Sequence, residues 1–187
     1  MENFEFEHEG KKYWYSRSMT SVCYVFCKNA DGIWCILANQ RGPNAPSCVG
    51  LWNVPCGYLD HNEDIRTAAC RETLEETGVK IMQDQLEFWK LHTQPDKGKQ
   101  NMNCQFYVVL NGTTDDYPLS NQYNEPGETS DIQWIPITNL SDYKFAFNQK
   151  PNIREIFNNF VQPTLCRRFF LYLTKLMMDA LKIDHIN

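Results

Sequence analysis

The chain has 187 residues, enough for one domain of ordinary size and too few for two comfortable ones. With 42% hydrophobic and 22% charged residues its composition is globular, which excludes fibrous and disordered classes. Eighteen Lys and Arg stand against 23 Asp and Glu; the resulting net charge of -5 repels a phosphate backbone and argues against general nucleic-acid binding.

Residues 1–10 are acidic and aromatic and lack the positive flank and apolar run of a secretory signal, and nowhere do 18 consecutive apolar residues occur. The expectation is a cytoplasmic protein without a membrane partner. Segments 4–7 and 12–15 around Gly10 predict a hairpin within residues 1–18, and segments 22–27 and 33–39 predict a second one around the turn at 29–32. Pro43, Asn44, Pro46 and Ser47 mark a loop, after which a short apolar run at 51–54 ends at Pro55, Cys56 and Gly57. Residues 62–77 predict a helix, with Asn62 as its cap, Ala68 and Ala69 as strong formers and Gly78 as a left-handed end.

Segments 85–93 and 103–110 are aromatic and β-branched and predict strands on either side of a polar loop carrying Pro95, Lys97 and Lys99. A longer polar loop at 111–127 and a last strand at 132–135 follow. From Pro151 the period becomes helical, with Ile153, Ile156, Phe157 and Phe160 before Pro163, then Leu165, Phe169, Leu173, Leu176, Met177 and Leu181. The order is strands, helix, strands, helices, read as one domain over 1–187 with a C-terminal helical segment at 150–187. Arg167, Arg168, Lys175 and Lys182 flank the last apolar stripe, which reads as packing on the core or on the mate of a homodimer in preference to a membrane surface.

The eight cysteines lie mostly inside apolar runs and read as reduced core thiols. There is no C-x-x-C pair, and His8, His61, His92 and His185 stand at no ligand spacing to a cysteine, so a zinc centre is not indicated.

The informative segment is 57–79. At about 100° per residue, Glu72, Glu75 and Glu76 share an arc of about 100° on one helix face, where like charges repel. They also occupy the last two turns before Gly78, where the negative end of the helix dipole disfavours anions by about 0.3–1 kcal/mol each. Two independent penalties on the same residues point to a cation opposite them, and an all-oxygen donor set suits Mg²⁺ first and Mn²⁺ next. A solvated acidic face is the competing reading. Glu63 lies toward the favourable N-terminal end of the helix and reads as a capping or orienting carboxylate, with Arg71 to pair with it or brace another glutamate.

The spacing G-x5-E-x7-R-E-U-x-E-E-x-G-U, where U is a bulky aliphatic, resembles the Nudix box, matched by Gly57, Glu63, Arg71, Glu72, Glu75, Glu76, Gly78 and Val79. Thr73 stands where an aliphatic is usual and Cys56 where a glycine commonly precedes the box. Residues 52–55 and 131–136 extend the resemblance to roughly residues 20–140.

The resemblance implies an α/β/α sandwich around a mixed sheet and hydrolysis of a nucleoside diphosphate linked to another group, with a small nucleotide as partner. By matched position, Glu72, Glu75 and Glu76 would hold metal with the main-chain carbonyl of Cys56 as a further ligand, while Glu63 and Arg71 orient loop and helix. The general base would be Glu72 or an acid on a later loop, for which Glu125 and Glu128 are candidates. Arg41 is a candidate phosphate donor. Trp14, Trp52 and Tyr58 are candidate base-stacking rings, against a simple core role. Pro95 stands 16 residues beyond Val79, a spacing similar to that of ADP-ribose pyrophosphatases in the family. The favoured substrate is therefore ADP-ribose or a nucleotide sugar. Nucleoside triphosphates, dinucleoside polyphosphates or an RNA cap, and a nucleotide-sensing module without turnover, remain as alternatives.

Overall fold

The computed structural model describes residues 4–15, 17–94 and 101–162. The chain divides into two compact units, Met1–Gln149 and Lys150–Asn187. Pro95, Lys97, Lys99, Cys166 and the helix expected beyond Pro163 lie outside the described residues.

In the first unit β1 (Phe4–His8) and β2 (Lys11–Tyr15) form a separate antiparallel hairpin closed at Gly10, whose φ is +72°. The main sheet centres on β3 (Met19–Lys28), in which eight successive residues are buried, as in a strand covered on both faces. It pairs antiparallel with β4 (Trp34–Arg41) and parallel with β8 (Met102–Thr113). β5 (Trp52–Asn53) and β9 (Thr129–Pro136) pair with β4, β6 (Cys56–Tyr58) with β3, and β7 (Glu87–His92) with β8, which makes the sheet mixed and the class α/β.

The helix α1 (Ile65–Thr77) packs on the β3 face, where Ala69 joins Cys23, Val25, Leu37, Phe106 and Val108 in one apolar cluster. Its N-cap is Asp64, whose side chain accepts the Arg66 N–H, and not the expected Asn62. Asn62 adopts φ +65° in the turn closed by the Glu63 N–H on Asp60 C=O, a left-handed conformation that asparagine tolerates, and the extended Asp64 that follows takes the cap. Gly78 ends the helix at φ +78° as expected, its N–H returning to Leu74 C=O.

Several expectations about strands and loops are corrected. β6 was hidden because three residues next to a proline carry no period, and it exists through pairing with residues distant in sequence. The loop expected at 111–127 begins only after β8 ends at Thr113 and contains a 3₁₀ turn, Thr114–Asp116. β9 is longer than 132–135, since its N-terminal half is polar and held by the ladder to β4. α2 (Gln149–Ile156), whose first residue closes the first unit and whose remainder lies in the second, continues into a π-helical turn, Phe157–Val161. Among the described residues no helix is long and apolar enough to cross a membrane.

Candidate active site

Arg71 is the hub of the box. Its Nε–H and one Nη2–H donate to the two oxygens of Glu63 at 2.7 and 2.8 Å, a fork-to-fork pair. Nη2 also reaches Tyr58 C=O at 2.9 Å, and Nη1 reaches Glu72 Oε1 at 2.8 Å and Glu75 Oε2 at 2.9 Å. All five guanidinium donors are thereby engaged. Glu63, 9% exposed, is held from its other side by the Asp60 N–H, and Arg71 lowers its carboxyl pKa below the usual range. Arg71 thus pairs with Glu63 and contacts Glu72 and Glu75 as well.

Glu72 and Glu76 sit in a different electrostatic setting. Burial pushes the Glu72 carboxyl up to about 7 against the pull of Arg71, and Glu75 and Glu63 add to the rise. Desolvation, followed by repulsion from Glu72, holds the Glu76 carboxyl well above the usual range, although the Cys56 N–H donates to its Oε2 at 3.0 Å. The last turn of α1 carries no basic residue to relieve them. The box glycine is explained by the same packing: a Cβ on Gly57 would overlap the Glu72 carboxylate.

Among the described residues, no three acidic, histidine or cysteine side chains converge on one point as a ligand cage. Glu72 and Glu75 are drawn to Arg71, and Glu76 to the Cys56 N–H. The donor chemistry fits a hard dication all the same. Glu72, Glu75 and Glu76 offer carboxylate oxygens from one helix face, two of these carboxylates are desolvated beside one another, and the Arg71 guanidinium is shared among Glu63, Glu72 and Glu75.

Arg41, at the end of β4, contributes positive potential at Glu76 and Cys56. Its Nε–H is held by Ser47 C=O at 2.7 Å, and its guanidinium lies 5.2 Å from the ring centre of Phe147. Of the two loop acids, Glu128 raises the Glu76 carboxyl and so stands within electrostatic reach of the cluster. Glu125 closes the preceding turn by accepting the Glu128 N–H. The loop is latched to both neighbours: Asn124 Nδ2 donates to Glu76 C=O at 3.3 Å, and Gly42 N–H donates to Glu128 C=O at 2.6 Å.

The candidate stacking rings separate. Trp52 is 8% exposed and packs edge-on to Tyr143, so it is core material and not an open platform. Tyr58 is 56% exposed, with its hydroxyl held by Asn101 Nδ2 at 2.6 Å. Trp14 belongs to the separate hairpin. The sequence reading missed Asn124, Phe147 and the Cys56 N–H, since each reaches the site through contacts between distant segments.

A family model described as the NUDIX domain matches residues 17–157. The chain belongs to the Nudix family. The Nudix chain is 32% identical over 91 residues to Nudix hydrolase 8 of Arabidopsis thaliana, a match covering 42% of this chain and 25% of that protein. It is 26% identical over 130 residues to the RNA pyrophosphohydrolase of Dinoroseobacter shibae, covering 64% of this chain and 79% of that one. The chain therefore spans a quarter of the plant relative and about four fifths of the bacterial one. Among solved structures, the NUDIX domain of Shewanella oneidensis NrtR complexed with ADP ribose superposes with a TM-score of 0.61 at 19% identity, covering 75% of this chain and 86% of that one. A C. elegans Ap4A hydrolase binary complex gives 0.53 at 22% identity, covering 74% and 94%. At these identities the likeness is one of fold: this is an α/β Nudix sandwich.

Proposed function

We propose that this Nudix chain is a divalent-cation-dependent pyrophosphohydrolase that cleaves the phosphoanhydride of a nucleoside diphosphate derivative. ADP-ribose or a nucleotide sugar is the favoured substrate and a nucleoside triphosphate the second. The observation that carries the reading is the desolvated pair Glu72 and Glu76 beside Glu75: Arg71 bonds to Glu72 and Glu75 while Glu76 takes the Cys56 N–H, and three carboxylates around one guanidinium are unfavourable without a further cation. Glu72, Glu75 and Glu76 would hold Mg²⁺, with Mn²⁺ as a substitute and the Cys56 carbonyl as a further oxygen. When bound, the ion supplies neutralisation of phosphate charge and acidification of water.

The chain's own residues supply the rest. Arg71 and Glu63 lock the box loop to α1. A water oxygen forms a bond to phosphorus as the bridging P–O bond breaks, and its proton passes to Glu72 or to Glu128 on the loop against Glu76. Arg41, with its plane set by Ser47 C=O, offers its outer nitrogens to a phosphate. Tyr58 presents the exposed ring next to the box glycine for stacking.

The likeness to a domain complexed with ADP ribose supports the favoured substrate, and a further neighbour is a bifunctional NMN adenylyltransferase/ADP ribose pyrophosphatase of Francisella tularensis complexed with AMP and Mn. The relatives called RNA pyrophosphohydrolases add an RNA bearing a 5′ phosphoanhydride to the same test panel. The test is product release from ADP-ribose, nucleotide sugars, dinucleoside polyphosphates, triphosphates and that RNA, with and without Mg²⁺. Mg²⁺-dependent turnover of at least one, lost in Glu76→Gln, is expected; no turnover on any of them would overturn the reading.

A further inference from the structure

The box loop is approached from behind by a buried run of amides. Asn53, fully buried at the end of β5, donates from Nδ2 to Cys56 Sγ at 3.3 Å. Its Oδ1 accepts from Gln149 Nε2 at 2.8 Å, and Gln149 Oε1 accepts the Val54 N–H at 2.9 Å. Gln149 is 3% exposed, so this amide has little water to turn to. At the far end of the run the Cys56 N–H donates to Glu76 Oε2 at 3.0 Å.

The segment that delivers Gln149 is built for the purpose. Trp52 N–H donates to Lys144 C=O at 2.9 Å and Ala146 N–H returns to Trp52 C=O at 2.8 Å, which lays residues 144–146 along β5. Phe147 and Asn148 then both adopt left-handed backbone, φ +50° and +55°, which disfavours residues with a Cβ and persists only where surrounding contacts over-determine it. The two left-handed residues reverse the chain and turn Gln149 back toward Asn53 and Val54. Pro55 has no N–H of its own, so the turn between β5 and β6 depends on Gln149, Asn53 and the Cys23 N–H on Pro55 C=O for its shape.

We infer that Gln149 and Asn53 are positioning residues for Glu76: they fix the Cys56 backbone whose N–H orients that carboxylate, and through it they set the affinity for the divalent cation. The inference rests on the cation-binding reading given above. A buried amide pair that only filled the core would lower stability when removed and leave cation affinity alone.

Gln149→Met keeps length and volume while deleting both hydrogen bonds. Mg²⁺ alone is titrated calorimetrically into the wild-type chain of residues 1–187, into Gln149→Met, and into Val108→Ala, a core variant in β8 that leaves the amide run untouched. Partners that orient metal ligands are worth about 10–100-fold in affinity. Gln149→Met is expected to weaken Mg²⁺ binding by about tenfold, and Val108→Ala by less than about threefold whatever it does to the melting temperature. A change below about threefold in Gln149→Met overturns the inference. Should Gln149→Met fail to fold, Gln149→Glu keeps the acceptor for Val54 N–H, turns the donor into an acceptor facing Asn53 Oδ1, and is judged by the same criterion. Absence of Mg²⁺ binding in the wild type is a different result, which overturns the cation reading itself and this role with it.

Discussion

Gly57→Ala separates the site from the fold. Gly57 lies in β6 outside the left-handed region, so alanine suits its backbone and the substitution acts through the added methyl alone. That methyl would occupy the space of all three heavy atoms of the Glu72 carboxylate, which must retreat by about 1 Å or more to reach ordinary contact. Retreat breaks the 2.8 Å bond to Arg71 Nη1, a charge-assisted contact of about 1.5–3 kcal/mol that solvent partly replaces. Stability is expected to fall by about 2 kcal/mol or less, a melting shift of several degrees. A misplacement of this size at a reacting centre costs about 10²-fold in rate, equivalent to about 2.7 kcal/mol. The assay pairs thermal melting with Mg²⁺-dependent turnover on whichever substrate of the panel is cleaved. A folded Gly57→Ala protein with turnover within about threefold of wild type would refute the placement of Glu72 at the reacting centre.

Glu75→Gln and Glu76→Gln should abolish turnover by weakening Mg²⁺ binding, whereas Glu128→Gln should cut turnover with Mg²⁺ affinity kept; steady-state kinetics beside calorimetry reads the split. Gly42→Ala should act like a loop variant, because a Cβ there meets the Gly127 and Glu128 backbone and pushes the Glu128 loop off its Gly42 latch; rates measured at saturating Mg²⁺ should fall while Mg²⁺ affinity holds. Glu63→Gln should cost about 2–3 kcal/mol, since it removes a bidentate partner that is 9% exposed. The folded pKa of Glu63 lies below its ordinary 4.5, so its contribution is complete above about that pH and is lost as pH falls through the folded value. Denaturant melts at several pH values should therefore show the gap between wild type and Glu63→Gln closing in acid.

What the sequence made legible was local. The three glutamates share a helix face because spacing on a helix is geometry, and Gly78 ends it because only a left-handed residue does so without strain. The cap went to Asp64 because the φ of Asn62 is decided by the turn before it, which composition alone does not reveal. What stayed hidden was long-range. Gln149 meets Asn53 across 96 residues of chain, Asn124 meets Glu76 across 48, and the clearance between Gly57 and Glu72 exists only once β6 has docked on β3 and α1 on the sheet. Glu125 and Glu128 have equal standing in sequence; in the fold the Gly42 N–H holds the Glu128 C=O, and the Glu128 charge is felt at Glu76.

Mg²⁺ titrated calorimetrically into the apo protein, alone and with a non-hydrolysable nucleoside diphosphate, tests the cation reading most directly. Saturable binding in the millimolar range or tighter, strengthened by the nucleotide and lost in Glu76→Gln, is the predicted result. An unchanged baseline in the wild type with nucleotide present would mean that the glutamate face is only a charged surface.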